Sequence, residues 1–279
     1  MTVLLALGSA IGYGLSDFLG GLLSRRVPVW PVAMIVNLSA ALWVTVAALA
    51  VGGDPTAGDW AWGALAGVGS GMGTAFLYRG LAAGRMGVVA PLSAVGAALL
   101  PVTVGIVAGE RPTVLTWLGI AFAFPAIWLV SASAGDGQRG DRSVGVGVVD
   151  GLLAGLGFGM MFAALGQVPD SAGLGPLALT QAVSVPAIVV LAVAHREPWL
   201  PRDRSVVWAV PIGSFAAVAT TLFLFATHSG LLAVASVLSS LYPAFTVLLA
   251  IGVLREHIHR TQAVGLLLGL AAVSLVAVG

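Results

Sequence analysis

Asp17 has more chemistry to offer than any other single residue of this sequence. It lies in an apolar run from Thr2 to Leu23, eight residues before Arg25. If the run is one helix, those residues set Asp17 about 12 Å from the helix end. Half of a bilayer's hydrocarbon core is roughly 15 Å thick, so the carboxylate belongs near mid-depth. A carboxylate there costs about 2.5–3.5 kcal/mol even on the lenient insertion scale, and it must face a cavity or an ionic partner. Two roles are open to it: proton exchange or binding of a cationic group, or a fixed salt bridge that orders the first helix.

Arg79 is a candidate for that partner. It lies six residues before Arg85, roughly 9 Å deeper by the helical rise. It can equally snorkel to the interface, or offer its fork to a substrate carboxylate. Tyr13, Trp43, Tyr78 and Tyr242 are candidates for aromatic cavity walls, although aromatics near helix ends commonly form an interfacial belt. Asn37, Gln181, Ser93, Ser239 and Ser240 are candidate hydrogen-bonding partners for a substrate, against the alternative of interhelical contacts. Pro91 and Pro243 lie inside apolar spans, where helices kink. His228, Glu110 and Glu256 sit at span ends, and His257-Ile258-His259 has no third ligand nearby, so no metal site is expected. No P-loop, zinc-protease motif or dinucleotide fingerprint is present; no cofactor is expected, and no ATP hydrolysis on this chain.

The elements that hold these residues must be membrane helices. Of 279 residues, 59% are apolar and only 8% charged, whereas a soluble domain carries roughly 25% charge. The mean hydropathy is +1.05. A net charge of +1 excludes the basic field that nucleic-acid binding needs. With no Cys there is neither a disulfide nor a thiolate site. The first run is too long for a signal-peptide core and lacks a basic leader, so no cleavable signal is expected. Pro, Gly and charge punctuate ten candidate spans, near 2–23, 29–51, 60–79, 86–108, 113–133, 144–166, 172–194, 206–226, 230–253 and 261–278.

The spans form two halves, residues 1–134 and 144–279, joined by a polar linker at 135–143. An offset of 145 puts Gly12-Tyr13-Gly14 on Gly157-Phe158-Gly159, Pro31 on Pro176 and Ser39 on Ser184. An offset of 146 puts Trp62 on Trp208, Gly67 on Gly213, Leu92-Ser93 on Leu238-Ser239 and Glu110 on Glu256. Five spans per half is an odd number, so the halves enter the membrane in opposite senses. The expected fold is all-α integral membrane: ten transmembrane helices as two inverted five-helix repeats, with a substrate path between them at mid-membrane. Glycines four apart, such as Gly67 and Gly71 or Gly69 and Gly73, suit close helix approach. The odd-numbered loops hold every Arg except Arg111. Arg excess marks the cytoplasm, which puts both termini outside the cell membrane.

Tyr13-Gly14-Leu15-Ser16-Asp17-Phe18-Leu19-Gly20-Gly21 resembles the first helix of an actinobacterial-type branch of the EamA family, in the drug/metabolite transporter superfamily. Phe76-Leu77-Tyr78-Arg79-Gly80-Leu81, with Val88-Val89-Ala90-Pro91 and Gly109-Glu110-Arg111, is similar to the end of one EamA repeat. Ser240-Leu241-Tyr242-Pro243 with Leu254-Arg255-Glu256 resembles the matching part of the other. The resemblance implies a central cavity lined by helices 1–4 and 6–9, with helices 5 and 10 at the periphery. It also implies secondary transport of amino acids or other small metabolites, often as export. Relatives are drawn with cytoplasmic termini, so the Arg distribution here points the other way.

The expected function is therefore a secondary active transporter of amino acids or other small metabolites, with export the favoured direction, working by alternating access, with protons as the candidate coupling ion. A flippase for lipids or lipid-linked carriers is the alternative. An intramembrane enzyme is not expected, because no nucleophile–base pair is found. The expected partners are a small-molecule substrate and the bilayer, and the chain is expected to act as a monomer or homodimer.

Overall fold

A computed structural model describes residues 1–83, 86–107, 142–228, 242–255 and 260–278, together with Ser239 and short stretches between 113 and 129. The linker at 135–141 and most of the fifth span lie outside the described residues. So do Ser240, Glu110, Glu256, His257 and His259, and the side chain of His228.

Within those residues the helices are α1 (Thr2–Ser24), α2 (Val29–Val51), α3 (Ala57–Ala83), α4 (Met86–Val107), α5 (Arg142–Leu165), α6 (Gly175–Ala194), α7 (Ala209–His228), α8 (Tyr242–Leu254) and α9 (Arg260–Val278). Five of the described helices are long and apolar enough to cross a membrane. The chain is an all-helical membrane protein of two inverted repeats.

Helix ends follow local chemistry. α3 begins at Ala57, before the expected 60, because Thr56 and Asp59 form a capping box. The Asp59 N–H donates to Thr56 Oγ1 at 3.3 Å, and the Thr56 N–H donates back to Asp59 Oδ2 at 2.8 Å. α6 and α7 begin later than expected, behind the short 3-10 turns Asp170–Ala172 and Arg204–Trp208. Asp203 caps the second turn. The Ser205 N–H donates to its carboxylate, which holds that group below the ordinary range.

Packing runs mainly between the halves and obeys their two-fold relation. α1 lies on α7 as α5 lies on α3, α2 lies on α7 as α6 lies on α3, and α2 meets α6 directly. α3 is wedged between α5 and α6 because glycine removes its side-chain bulk on two stripes. A Cβ on Gly63, Gly67 or Gly71 would stand 2.6 Å from the carbonyl oxygen of Pro176, Thr180 or Ser184 on α6. On the other stripe, a Cβ at Gly69 would stand 2.6 Å from the Gly157 carbonyl oxygen on α5. Backbones this close let weak contacts and dispersion hold helices that no hydrophobic drive brings together in lipid. α9 packs chiefly on α4, away from the centre.

Candidate functional site

The interlocked halves leave a cavity between them. Its wall is Tyr13, Ser16 and Asp17 of α1, Val36, Asn37 and Ala40 of α2, and Ser70, Thr74 and Tyr78 of α3. The second half adds Phe158, Met161 and Phe162 of α5, Gln181 of α6, Ala216 and Thr220 of α7 and Tyr242 of α8. The cavity holds about 580 Å³ of empty space, its open mouth included.

The wall is two-fold in position and lopsided in chemistry. The offset of 145 relates Tyr13 to Phe158, Ser16 to Met161, Asp17 to Phe162 and Val36 to Gln181, all of them wall residues. The offset of 146 relates Ser70 to Ala216 and Thr74 to Thr220. The polar member of four of these pairs belongs to the first half, which leaves the α5 side almost wholly apolar.

Of the ten described residues among the cavity candidates, six line this wall: Tyr13, Asp17, Asn37, Tyr78, Gln181 and Tyr242. The three tyrosines are pinned through their hydroxyls. Tyr13 donates to Thr220 Oγ1 at 2.8 Å, which joins α1 to α7. Tyr78 donates to the Ser16 carbonyl at 3.3 Å, which joins α3 to α1. Ser93 spends its only proton on the Ala90 carbonyl at 2.7 Å. In its 3.4 Å contact with Ser93 Oγ, Tyr242 is therefore the donor. The rings of Tyr13 and Tyr242 meet edge to face at 6.1 Å. All three phenolic protons are thus committed to protein acceptors. Asn37 is engaged too: its Nδ2 donates to the Ala33 carbonyl at 3.0 Å, and its Oδ1 lies 2.9 Å from Ser184 Oγ, which shares its proton with the Gln181 carbonyl at 2.6 Å.

Asp17 and Gln181 differ from these residues. Asp17 is 8% exposed, and among the described residues no hydrogen bond or ion pair holds its carboxylate. Gln181 is 5% exposed, and among the described residues its Oε1 has no hydrogen-bond partner. The cavity therefore presents a carboxylate and an amide oxygen that no described residue engages, beside the Ser70 and Thr74 hydroxyls and the pinned tyrosine rings.

The other four candidates stand elsewhere. Arg79 is not the partner of Asp17, which corrects the pairing considered from depth alone. Its Nε reaches both carboxylate oxygens of Asp150 at 3.1 and 3.0 Å, and its Nη2 reaches Oδ1 at 2.6 Å. The guanidinium also sits 4.7 Å over the Phe76 ring. The reason is rotation: Tyr78 and Arg79 are adjacent on α3, so when Tyr78 faces α1, Arg79 is turned about 100° toward α5. Trp43 is half exposed on the outer surface of α2 and lines no cavity. Ser93 stands behind Tyr242, and Ser239 contacts the Ala6 carbonyl at 3.5 Å. Neither lines the wall. Among the described residues α4 contributes no wall position, contrary to what the family resemblance implied.

Asp150 escaped the sequence reading although the rule that flags Asp17 flags it as well. It lies eight residues after Arg142, at the same depth from the same side. Phe158 and Met161 were legible only through the offset, as the mates of Tyr13 and Ser16.

Comparison with known proteins agrees with this architecture. The sequence profile of the EamA-like transporter family matches twice, over residues 1–132 and 145–278. The chain belongs to the EamA-like transporter family. No curated protein matches this family member's sequence significantly. Thirteen chains of solved structures match it. One of them, described only as the crystal structure of a protein, superposes with a TM-score of 0.63 at 15% identity. The match covers 98% of the transporter and 94% of that chain. At that identity the likeness concerns the fold alone.

Proposed function

We propose that this transporter exports a small metabolite by secondary active, alternating-access transport, and that Asp17 is the group that couples the movement to protons. The observation that carries the proposal is a nearly buried carboxylate, without a partner among the described residues, in a cavity between inverted repeats. An ionisable group in such a place is expensive, and lipid offers nothing to offset the cost. A group that must alternately hold and release a proton needs to be free of a permanent partner. The titratable groups around it in the wall are Tyr13, Tyr78 and Tyr242, and their protons are engaged by Thr220, Ser16 and Ser93. Asp17 is left as the exchangeable site. The inverted repeats supply the second requirement, two interlocked halves able to rock about a central site.

The test is solute flux into proteoliposomes under an imposed pH gradient, with wild type against Asp17→Asn. Coupled flux in wild type that vanishes in a folded variant is the expected result. Coupled flux that survives the substitution would remove Asp17 from the mechanism. The same proposal puts the odd-numbered loops in the cytoplasm of a cell-membrane protein. Gln138→Cys in this Cys-free chain tests it: an impermeant thiol reagent added to intact cells should leave that residue unlabelled.

A further inference from the structure

We infer that the substrate is an organic ammonium ion without a carboxylate, an amine carried on a compact apolar body. The inference rests on the transport reading above and deepens it.

Among the described residues the cavity wall carries one formally charged side chain, and it is the carboxylate of Asp17. Among the described residues no Arg or His lines it. The cation nearest in sequence to the wall, Arg79, is forked onto Asp150 and lies over Phe76. It is therefore spent in a structural pair and cannot receive a substrate carboxylate. An amino acid would bring its own carboxylate into a site with one negative charge and no positive one, and like charges so confined repel strongly. An ammonium ion finds the opposite sign waiting.

Ring chemistry adds to charge. Tyr13, Tyr78, Tyr242, Phe158 and Phe162 all line the same cavity, and an aromatic face attracts a cation placed within about 6 Å of its centroid. With all three phenolic protons committed, the tyrosines turn only oxygen lone pairs and ring surface toward a ligand, and both favour a cation. Gln181 supplies a further polar contact: among the described residues its buried Oε1 lacks a donor, and an ammonium N–H is a suitable one once the amide turns. The α5 wall of Phe158, Met161 and Phe162 is apolar, so the body of the molecule should be hydrocarbon or aryl.

Equilibrium binding of matched ligands to the full chain in nanodiscs tests this without relying on flux. On each of several carbon skeletons the amine, the alcohol and the amino acid are compared by titration calorimetry; 2-phenylethylamine, 2-phenylethanol and phenylalanine make one such set. The amine is expected to bind about tenfold or more tightly than either mate, the size of one charge-assisted contact. Asp17→Asn should erase the preference of amine over alcohol. Should that variant fail to fold, the wild-type comparison decides alone. An amine bound no more tightly than its alcohol or its amino acid overturns the substrate class. Proteoliposome flux of the same ligands separates the two proposals. Amines that bind but never move down a pH gradient leave the substrate class standing and overturn the transport reading. Coupled flux of amino acids without amine binding does the reverse.

Discussion

Asp17 and Asp150 are two carboxylates with the same address along their helices and opposite company. Each lies eight residues from an Arg at the end of an apolar span, and the two Arg residues belong to odd-numbered loops. Asp150 is fully buried and held by a two-pronged arginine. Asp17 is nearly as buried and, among the described residues, held by nothing. The difference shows that depth sets how costly a charge is in a membrane, while the neighbouring helix decides what the charge is for. Where α3 turns Arg79 toward α5, the carboxylate becomes a strut. Where it turns Tyr78 toward α1, the carboxylate is left facing a cavity. Two adjacent residues on one glycine-rich helix thus make both environments.

Neutralising each carboxylate in turn should separate the two roles most strongly. Asp17→Asn should bring gradient-driven flux down to the level of empty liposomes while thermal unfolding in detergent stays unchanged or shifts upward, because an uncompensated buried charge has been removed. A large fall in melting temperature would instead make Asp17 a structural residue. Asp150→Asn should act in the opposite way. It strands Arg79, whose side chain is 27% exposed, and removing one partner of a buried pair costs roughly 3–5 kcal/mol. The partial exposure of Arg79 places the expected loss near the low end, at about 3 kcal/mol, read as reduced resistance to denaturant. An Asp150→Asn variant as stable as wild type would refute the strut.

Smaller effects refine the comparison. Replacing both partners, Arg79→Leu with Asp150→Leu, should return stability to within about 1 kcal/mol of wild type, because a buried pair contributes little over well-packed hydrocarbon. A double variant as unstable as the single one would mean that Arg79 holds the helices through something besides Asp150. Gly80→Ala is the mildest change. Its Cβ would stand 2.9 Å from the Asp150 Cβ and 2.7 Å from Val89 Cγ1, so α3 and α5 must part slightly. The expected loss is about 1 kcal/mol of stability, with flux unchanged. Impaired flux at full stability would show that this end of α3 moves during transport.

Much of the fold could be read from the residues. Apolar runs of bilayer length, punctuated by Pro, Gly and Arg, locate the helices because lipid leaves backbone groups no other way to be satisfied. The near-constant offset between halves carries the repeat, and it also relates most of the cavity wall, including the Tyr13–Phe158 and Asp17–Phe162 pairs. The capping box at Thr56 and Asp59, which moves the start of α3, is also written in the residues, although the span was expected to start at 60.

Depth was fixed by the residues alone: Asp17 had to be costly wherever its helix turned, since rise per residue and bilayer thickness are properties of any such chain. Rotation about the helix axis was left to the tertiary structure. Nearly uniform apolar surfaces give no strong stripe by which to orient a membrane helix, so Trp43 could be assigned to a cavity it does not face and Arg79 to a partner it does not have. The glycine stripes of α3, locked against the carbonyls of α5 and α6, set that rotation, and with it which carboxylate is paired and which is free.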